Sequence, residues 1–378
     1  MKKQLLKAFW ILPFLLCSAA FAENAAQTAA AAKAKTAAIQ TTTTEKKQTA
    51  AIQTAASAKA ETAVVSPHAP ATAQTVGTPT VRSQEPQMKT SEFGGIIYVE
   101  NATVQELEDF FKIHKYQRFR ALDGNAYPAI FVRTLPRDFP QIKSQKYRNE
   151  LFIRILAPLA LKINEEILNE RNAVLRLEQH FKSNGSLSPA NTRKLENLAL
   201  KYDYFTRLKG SERTAAQLQN LKLRIDAVPP SILIAAAAME SNWGFSRVAR
   251  EANSLYKEKV WYTGEGLEPA ENKDDGYRFR IFDSLLESMR SFALTFNSNI
   301  NYEHVWKARE GYADRHGVVI GESIAYALSN ASNLPNFAGI LDYTTAYYDL
   351  LAIDIGHLER IKTVSYTHLR AHETRHDL

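Results

Sequence analysis

Val228-Pro229-Pro230-Ser231-Ile232-Leu233-Ile234-Ala235-Ala236-Ala237-Ala238-Met239-Glu240-Ser241-Asn242-Trp243-Gly244 is the stretch from which the rest of the chain is best read. Pro229 and Pro230 suit the first positions of a helix, because their fixed φ is already helical and no backbone donor is lost there. The following run is apolar on every side, the pattern of a helix buried all round. About three turns on, it reaches Glu240. Asn242 and Gly244 are residue types that end helices, so the carboxylate falls near a C-terminus, where the macrodipole disfavours further negative charge.

A carboxylate closing a buried helix needs a reason, since such groups are almost never buried unpaired. Desolvation and the helix dipole would both keep a glutamic acid protonated nearer neutral pH, as protonating a leaving-group oxygen requires. Local chemistry leaves two readings of Glu240 open: an acid catalyst, or a structural glutamate paired with one of the chain's arginines.

The segment Ile234 to Phe245, followed by Ser246-Arg247-Val248-Ala249-Arg250-Glu251-Ala252-Asn253-Ser254-Leu255-Tyr256, resembles the "AxxESxWGxSxxAxxxNNLFG" signature of Bax-like bacterial glucosaminidases of glycoside hydrolase family 73. The likeness continues through Tyr277-Arg278-Phe279-Arg280-Ile281-Phe282-Asp283-Ser284 and Asn301-Tyr302, which resemble a "kFrvFdS" and an "hpaY" segment, and upstream from about Leu135 to Ile163. The resemblance implies a lysozyme-like fold, a cell-wall glycan substrate and Glu240 as general acid. It also implies that Tyr302, Tyr256, Trp243 and Asn253 contact substrate, Trp243 equally suiting a brace beneath the catalytic turn. Two departures bear on those contacts: Asn253-Ser254-Leu255-Tyr256 lacks the usual phenylalanine and glycine of "NNLFG", and Asn242 stands where many relatives have a small residue.

The 378 residues divide unevenly. Residues 1–22 read as a signal peptide: Lys2, Lys3 and Lys7 precede an apolar core from Ala8 to Ala19 and an Ala20-Phe21-Ala22 cleavage site. The single cysteine, Cys17, lies inside it, and Leu16 before that cysteine argues against a lipoprotein. The expected location is therefore the periplasm or cell envelope, with no disulfide in the mature chain. No later segment is long and apolar enough to span a bilayer. Residues 23–92 are rich in alanine, threonine, glutamine and lysine, then gain Pro67, Pro70, Pro79 and Pro86, and cannot offset their ordering entropy by burial. They are expected to be a disordered spacer.

Residues 93–140 read as a small mixed α/β extension, with strands at Gly95–Val99 and Ala129–Val132 flanking a helix over Thr103–Ile113. From 141 to 363 the chain is expected to be helical. Leu151, Ile155, Leu159, Ile163 and Ile167 recur every four residues, with a kink or break at Pro158, and Ser188-Pro189 looks like a cap and first-turn proline. Further helices follow over Glu212–Asp226, after the Ser284/Glu287 capping box, and as one or two closing helices over Phe337–Ile361. Between Tyr256 and Phe282 the pattern fails and a loop or hairpin lobe is expected. The fold class is thus mainly α, two-lobed and lysozyme-like, with a small irregular or β lobe.

Glycosidases normally add a second carboxylate, as nucleophile or as base. The lobe offers Glu265, Glu268, Glu271, Asp274 and Asp275, of which Glu268, then Glu265, is preferred, a solvated acidic loop being the plainer alternative. If none serves, the sugar's 2-acetamido group can act as internal nucleophile.

His372-Glu373-Thr374-Arg375-His376 matches H-E-x-x-H, but the tail over 364–378 resembles a translated sequencing adapter and lacks the periodicity of a buried metal helix. It is taken as an artefact that replaces the true C-terminus, with no metal site and no cofactor. The net charge of +7 includes that tail and the leader, so it supports only a mild preference for anionic partners, with no nucleic acid implied. The expected function is a peptidoglycan-directed endo-β-N-acetylglucosaminidase. The alternatives are a lytic transglycosylase, which would usually continue into a "GLMQ" segment absent here, and an inactive wall-binding or scaffold protein.

Overall fold

The computed structural model describes residues 87–117, 125–261, 265–270, 276–316, 320–328 and 337–361. The expected leader with Cys17, most of the expected spacer, Glu271, Asp274, Asp275 and the adapter-like tail lie outside the described residues. Strand β1 (Lys89–Phe93) pairs antiparallel with β2 (Ile96–Glu100), so the spacer expected to reach residue 92 gives way to a strand a few residues earlier. The helix α1 (Val104–Ile113) begins at a reciprocal capping box between Thr103 and Glu106. β3 (Ala126–Pro128) and β4 (Ile130–Val132) follow, and β4 lies parallel to β2.

The long helix α2 (Gln145–Asn184) runs through Pro158 without the expected break. Proline removes the donor that would have bonded the Arg154 carbonyl. The hydroxyl of buried Tyr116 donates to that carbonyl at 3.2 Å, so the freed acceptor is satisfied and the helix can continue. Helix α3 (Pro189–Lys201) starts at the Ser188 cap with Pro189 in the first turn, as its sequence suggests. α4 (Gly210–Arg224) leads to α5 (Pro230–Ser241), the apolar helix, in which every residue from Pro230 to Ala238 is buried. α6 (Arg247–Ala252) is followed by the hairpin β5 (Lys259–Trp261) and β6 (Tyr277–Phe279), which form the small lobe. Then come α7 (Leu285–Ser298), α8 (Glu303–His316), α9 (Gly321–Leu328), α10 (Phe337–Tyr347) and α11 (Leu351–Asp354).

The chain closes on β7 (His357–Glu359), where the sequence had suggested only helix. β7 lies parallel to β3, with Tyr127 opposite Leu358. A three-residue strand has too few residues for its alternation to stand out, and its partner lies far away in the sequence. This pairing carries the residues 93–140 region into the same compact unit as the helices, Ser83–Leu378, so residue 140 does not mark a separate body. The result is a mainly α, lysozyme-like domain.

Helix α5 is the centre of the unit, touching α2, α9, α10 and α11. Its alanines let those neighbours approach closely. At its start, Asp354 accepts hydrogen bonds from the Ser231 amide (2.8 Å), the Ser231 hydroxyl (2.8 Å) and the Gly321 amide (2.8 Å), joining the first turns of α5 and α9. A Cβ at Gly321 would lie 2.1 Å from the Ser231 hydroxyl, so only glycine fits. The loop entering α5 is held by Arg309, whose buried guanidinium donates to the carbonyls of Leu223, Arg224, Asp226 and Ala227 and to Asn297.

Burial raises the Asp354 carboxyl from 3.8 to about 6, against the lowering effect of its three donors. Between those values the folded chain holds a proton that the unfolded chain has lost, so this group's stabilising contribution is complete below about pH 4 and is lost as pH rises through about 6. Asp354→Asn should be less stable by about 1–3 kcal/mol, because its amide faces donors it cannot accept from. The gap between wild type and variant in urea unfolding should narrow from pH 4 to pH 7. A gap that is constant over that range would show that Asp354 does not titrate there.

Candidate active site

The site is built on the turn that ends α5. Asn242, Trp243 and Gly244 all have left-handed backbones, with φ of 52°, 57° and 75°. Asparagine tolerates that region better than most residues, which explains why it can stand where relatives carry a small residue. The Asn242 and Trp243 amides both donate to the Ala238 carbonyl, the latter at 2.8 Å. Ser241 stitches the turn: its hydroxyl donates to the Ala237 carbonyl (2.6 Å) and accepts from the Gly244 amide (2.8 Å). A Cβ on Gly244 would lie 2.9 Å from Leu135 and 3.0 Å from the Phe152 ring, so the turn is pressed flat against the core.

Glu240 emerges from this frame with its side chain 31% exposed, where the sequence had pointed to a desolvated acid closing a buried helix. The last turn of α5 lifts Met239 and Glu240 out of the core while Ser241 goes back in. The charged partner of Glu240 is Lys257, with Nζ 4.0 Å from Oε2, rather than an arginine. Lys257 is the residue in the place of the signature's final glycine, and its φ of 51° is left-handed. The departure from the family pattern thus keeps the glycine backbone and adds an ammonium beside the acid.

Trp243 packs edge-on to Phe152 (6.1 Å) and against Tyr348 (4.6 Å), which braces the turn. Tyr256 stacks flat on Phe292 at 4.0 Å, and its hydroxyl donates to the Leu233 carbonyl of α5 at 3.0 Å. Burial raises that hydroxyl's pKa well above the ordinary tyrosine value. Tyr302 lies in a short turn over Ile300–Tyr302, stacked on Phe296 at 4.9 Å, and burial raises its hydroxyl too. Asn253 caps α6 with a φ of 50° and donates to the Phe282 carbonyl (2.9 Å), which ties α6 to the segment after the hairpin. Its side-chain oxygen is buried with no hydrogen-bond partner among the described residues.

Of the lobe carboxylates, Glu268 is ion-paired with Arg278 at 2.8 Å, and its carbonyl accepts from Arg247. Glu265 is exposed and begins the short segment whose Leu267 pairs with Phe279. The sequence reading missed an aromatic row that starts at the turn ending α5. Trp243 meets Tyr348, Tyr348 meets Tyr347 at 4.8 Å, and Tyr347 meets Tyr343 at 5.7 Å, with Tyr347 and Tyr343 both mostly exposed. Asn149 on α2 orients Tyr348 by donating to its hydroxyl at 2.6 Å. The signal lay in the four-residue spacing of Tyr343 and Tyr347, which puts both rings on one helix face.

Residues 215–348 match the glucosaminidase family model, described as mannosyl-glycoprotein endo-beta-N-acetylglucosaminidase. The matched region is similar to a glucosaminidase domain, and it contains Glu240, the turn and the whole lobe. Protein bax of Escherichia coli (strain K12) is 30% identical over 173 residues, covering 46% of this chain and 59% of that protein. The chain therefore spans less than two thirds of that relative. The catalytic domain of the autolysin Auto from Listeria monocytogenes is matched at 20% identity over 44% of this chain and 98% of that one, with a TM-score of 0.26.

Two stability outcomes follow from the turn. Gly244→Ala adds a clash in a left-handed residue and should cost roughly 1–3 kcal/mol in urea unfolding. For Lys257, a left-handed side-chain residue costs about 1–2 kcal/mol while a partly exposed ion pair returns about 0–1 kcal/mol. Lys257→Gly should therefore leave the melting temperature unchanged or raise it, and a clear drop would mean that the pair with Glu240 outweighs the backbone strain.

Proposed function

We propose that this chain is a peptidoglycan hydrolase, an endo-β-N-acetylglucosaminidase that cleaves the β-1,4 bond following N-acetylglucosamine, with Glu240 donating the proton to the leaving oxygen. The observation that carries the reading is the placement of Glu240. It is held by a strained turn at the end of a helix buried from Pro230 to Ala238, with its side chain 31% exposed. A rigidly mounted acid with partial access to solvent suits general acid catalysis. The match of residues 215–348 to the glucosaminidase family supports the same reading.

In this mechanism a glycan strand lies between the α5 turn and the hairpin lobe. Trp243 and the tyrosine row from Tyr348 offer apolar ring faces to sugar faces, while Tyr302 contributes a hydroxyl for the sugar's polar groups and Asn253, its amide oxygen buried, supports the site from behind. Glu268 is the assisting carboxylate, positioned by Arg278 and Arg247, and Glu265 is its neighbour in the same segment. The substrate places the protein in the periplasm or cell envelope, in agreement with the leader read over residues 1–22. No helix among the described residues is long and apolar enough to cross a membrane.

The test is digestion of purified sacculi, with products read by mass spectrometry before and after borohydride reduction. Wild type should release reducing N-acetylglucosamine ends, and Glu240→Gln should lower turnover by about 10²–10⁴-fold with little change in folding. Anhydro-muramic ends would make the enzyme a lytic transglycosylase, and intact sacculi with folded wild type would leave a wall-binding protein. Glu268→Gln should lose about 10²-fold or more in kcat/KM. Full activity in that variant would transfer the second role to Glu265 or to the substrate's acetamido group.

A further inference from the structure

Leu200, Phe205 and Leu208 are 66%, 71% and 45% exposed, and all three lie in one short stretch that runs from the end of α3 through the loop into α4. Single exposed apolar residues are ordinary, whereas a group of them calls for a partner. Lys201, Arg207 and Lys209, all exposed, are interleaved with the three. The loop is nonetheless well anchored. Tyr202 is buried, its hydroxyl donates to Glu170 on α2 (2.7 Å), and its carbonyl accepts from Arg224 (3.0 Å). The Tyr204 amide donates to the Ala199 carbonyl (2.8 Å), the Arg224 guanidinium lies 5.7 Å from the centre of the Tyr204 ring, and the Leu208 amide donates to the Thr206 hydroxyl (3.3 Å). With both tyrosines held to the protein, Phe205 is left facing solvent, where its ring adds little to the core.

A basic groove adjoins this stretch. Between α2 and α3 lies a cavity of about 610 Å³ whose lining includes Glu170, Arg176, Arg193, Lys194, Asn197 and Lys201. Lys201 is paired with Glu170 at 2.6 Å, and the acid of α3, Glu196, is taken by Arg213 at 3.3 Å. Arg176, Arg193 and Lys194 make no ion pair among the described residues, and neither do Arg207 and Lys209 in the loop. Arg193 and Leu200 stand two turns apart on one face of α3, and Lys201 both lines the groove and follows Leu200. Uncompensated cations and exposed apolar side chains therefore form one continuous surface.

We propose that this surface docks the protein on an anionic phospholipid bilayer, with Phe205, Leu208 and Leu200 entering the interfacial layer and the cations of the groove and loop meeting headgroup phosphates. Charge decides the occupant. A second copy of the chain, using the same face, would set the unpaired cations against one another. An anionic membrane accommodates the apolar side chains and the charges together. No helix among the described residues is long and apolar enough to cross a membrane, so the association is peripheral and reversible. It does not depend on the reaction at Glu240.

The experiment mixes the full chain with phosphatidylcholine vesicles, with and without about one third phosphatidylglycerol, and measures co-sedimentation. Binding should require the anionic lipid and fall as salt is raised. Phe205→Ser should weaken it by roughly tenfold, and Arg207→Gln combined with Lys209→Gln by roughly threefold to tenfold, with melting temperatures unchanged because these side chains are exposed. An apolar leader has its own affinity for lipid, so a local readout accompanies the sedimentation. The emission that Phe205→Trp adds to the parent's should shift to the blue on anionic vesicles and be quenched by brominated acyl chains. An added emission that stays unshifted and unquenched, equal binding to neutral and anionic vesicles, or unweakened binding of Phe205→Ser would each overturn the proposal. A dimer in sedimentation velocity that Phe205→Ser abolishes would give the surface to a second copy instead. Saturable binding of inorganic phosphate by a protein that ignores vesicles would reduce the groove to a free-anion site and end the membrane reading.

Discussion

Complete burial of helix α5 is the constraint on which the rest of the structure depends. A helix with alanine on most of its surface cannot stand in water as an amphipathic element, since it has no polar face to expose. It must be enclosed, and the chain encloses it with α2 on one side and α9, α10 and α11 on the others. The small side chains make the enclosure tight enough that Gly321 has no room for a single methyl group. Both ends of such a helix leave unpaired backbone groups inside the protein. Asp354 supplies acceptors at the start, and Ser241 and the Asn242 and Trp243 amides close the end.

That enclosure determines where the chemistry can occur. A buried helix reaches solvent only where it stops, and the left-handed turn at Asn242–Gly244 stops it abruptly. Glu240 is therefore presented on a rigid mount. The same logic recurs at Lys257, where a further left-handed residue ends the segment after α6 and directs the chain into the hairpin. The backbone conformation there belongs to glycine, yet lysine occupies it and stands beside Glu240. A conformationally costly residue thus stands beside a carboxylate that is itself mounted on a costly turn.

Most of the helical frame was legible because it is written in local chemistry. Pro229-Pro230 starts α5, Asn242 ends it, and Ser188-Pro189 and Ser284 mark two further starts. The strands at 96–100 and 130–132 were visible as short apolar runs. What escaped was either very short or long-range. β7 is three residues long and pairs with a strand more than two hundred positions away, and Pro158 sits in an unbroken helix only because a distant tyrosine hydroxyl takes the carbonyl it frees. The site divides in the same way. Glu240 was legible from its run, whereas its half-exposed state, its lysine partner and the tyrosine row on α10 needed the fold to bring them together.

The sequence by itself determined that a glutamate closes an apolar helix begun by two prolines, because residue types and a 3.6-residue period suffice for that. It also determined that the segment between Tyr256 and Phe282 would not be helix. Only the tertiary structure decided which groups Glu240, Asp354 and Lys259 face. Those partners come from the loop after α6, from the starts of α5 and α9, and from the far strand of a hairpin, and contacts between remote segments leave no periodic trace in the chain. They arise when burial of α5 brings the surrounding elements together.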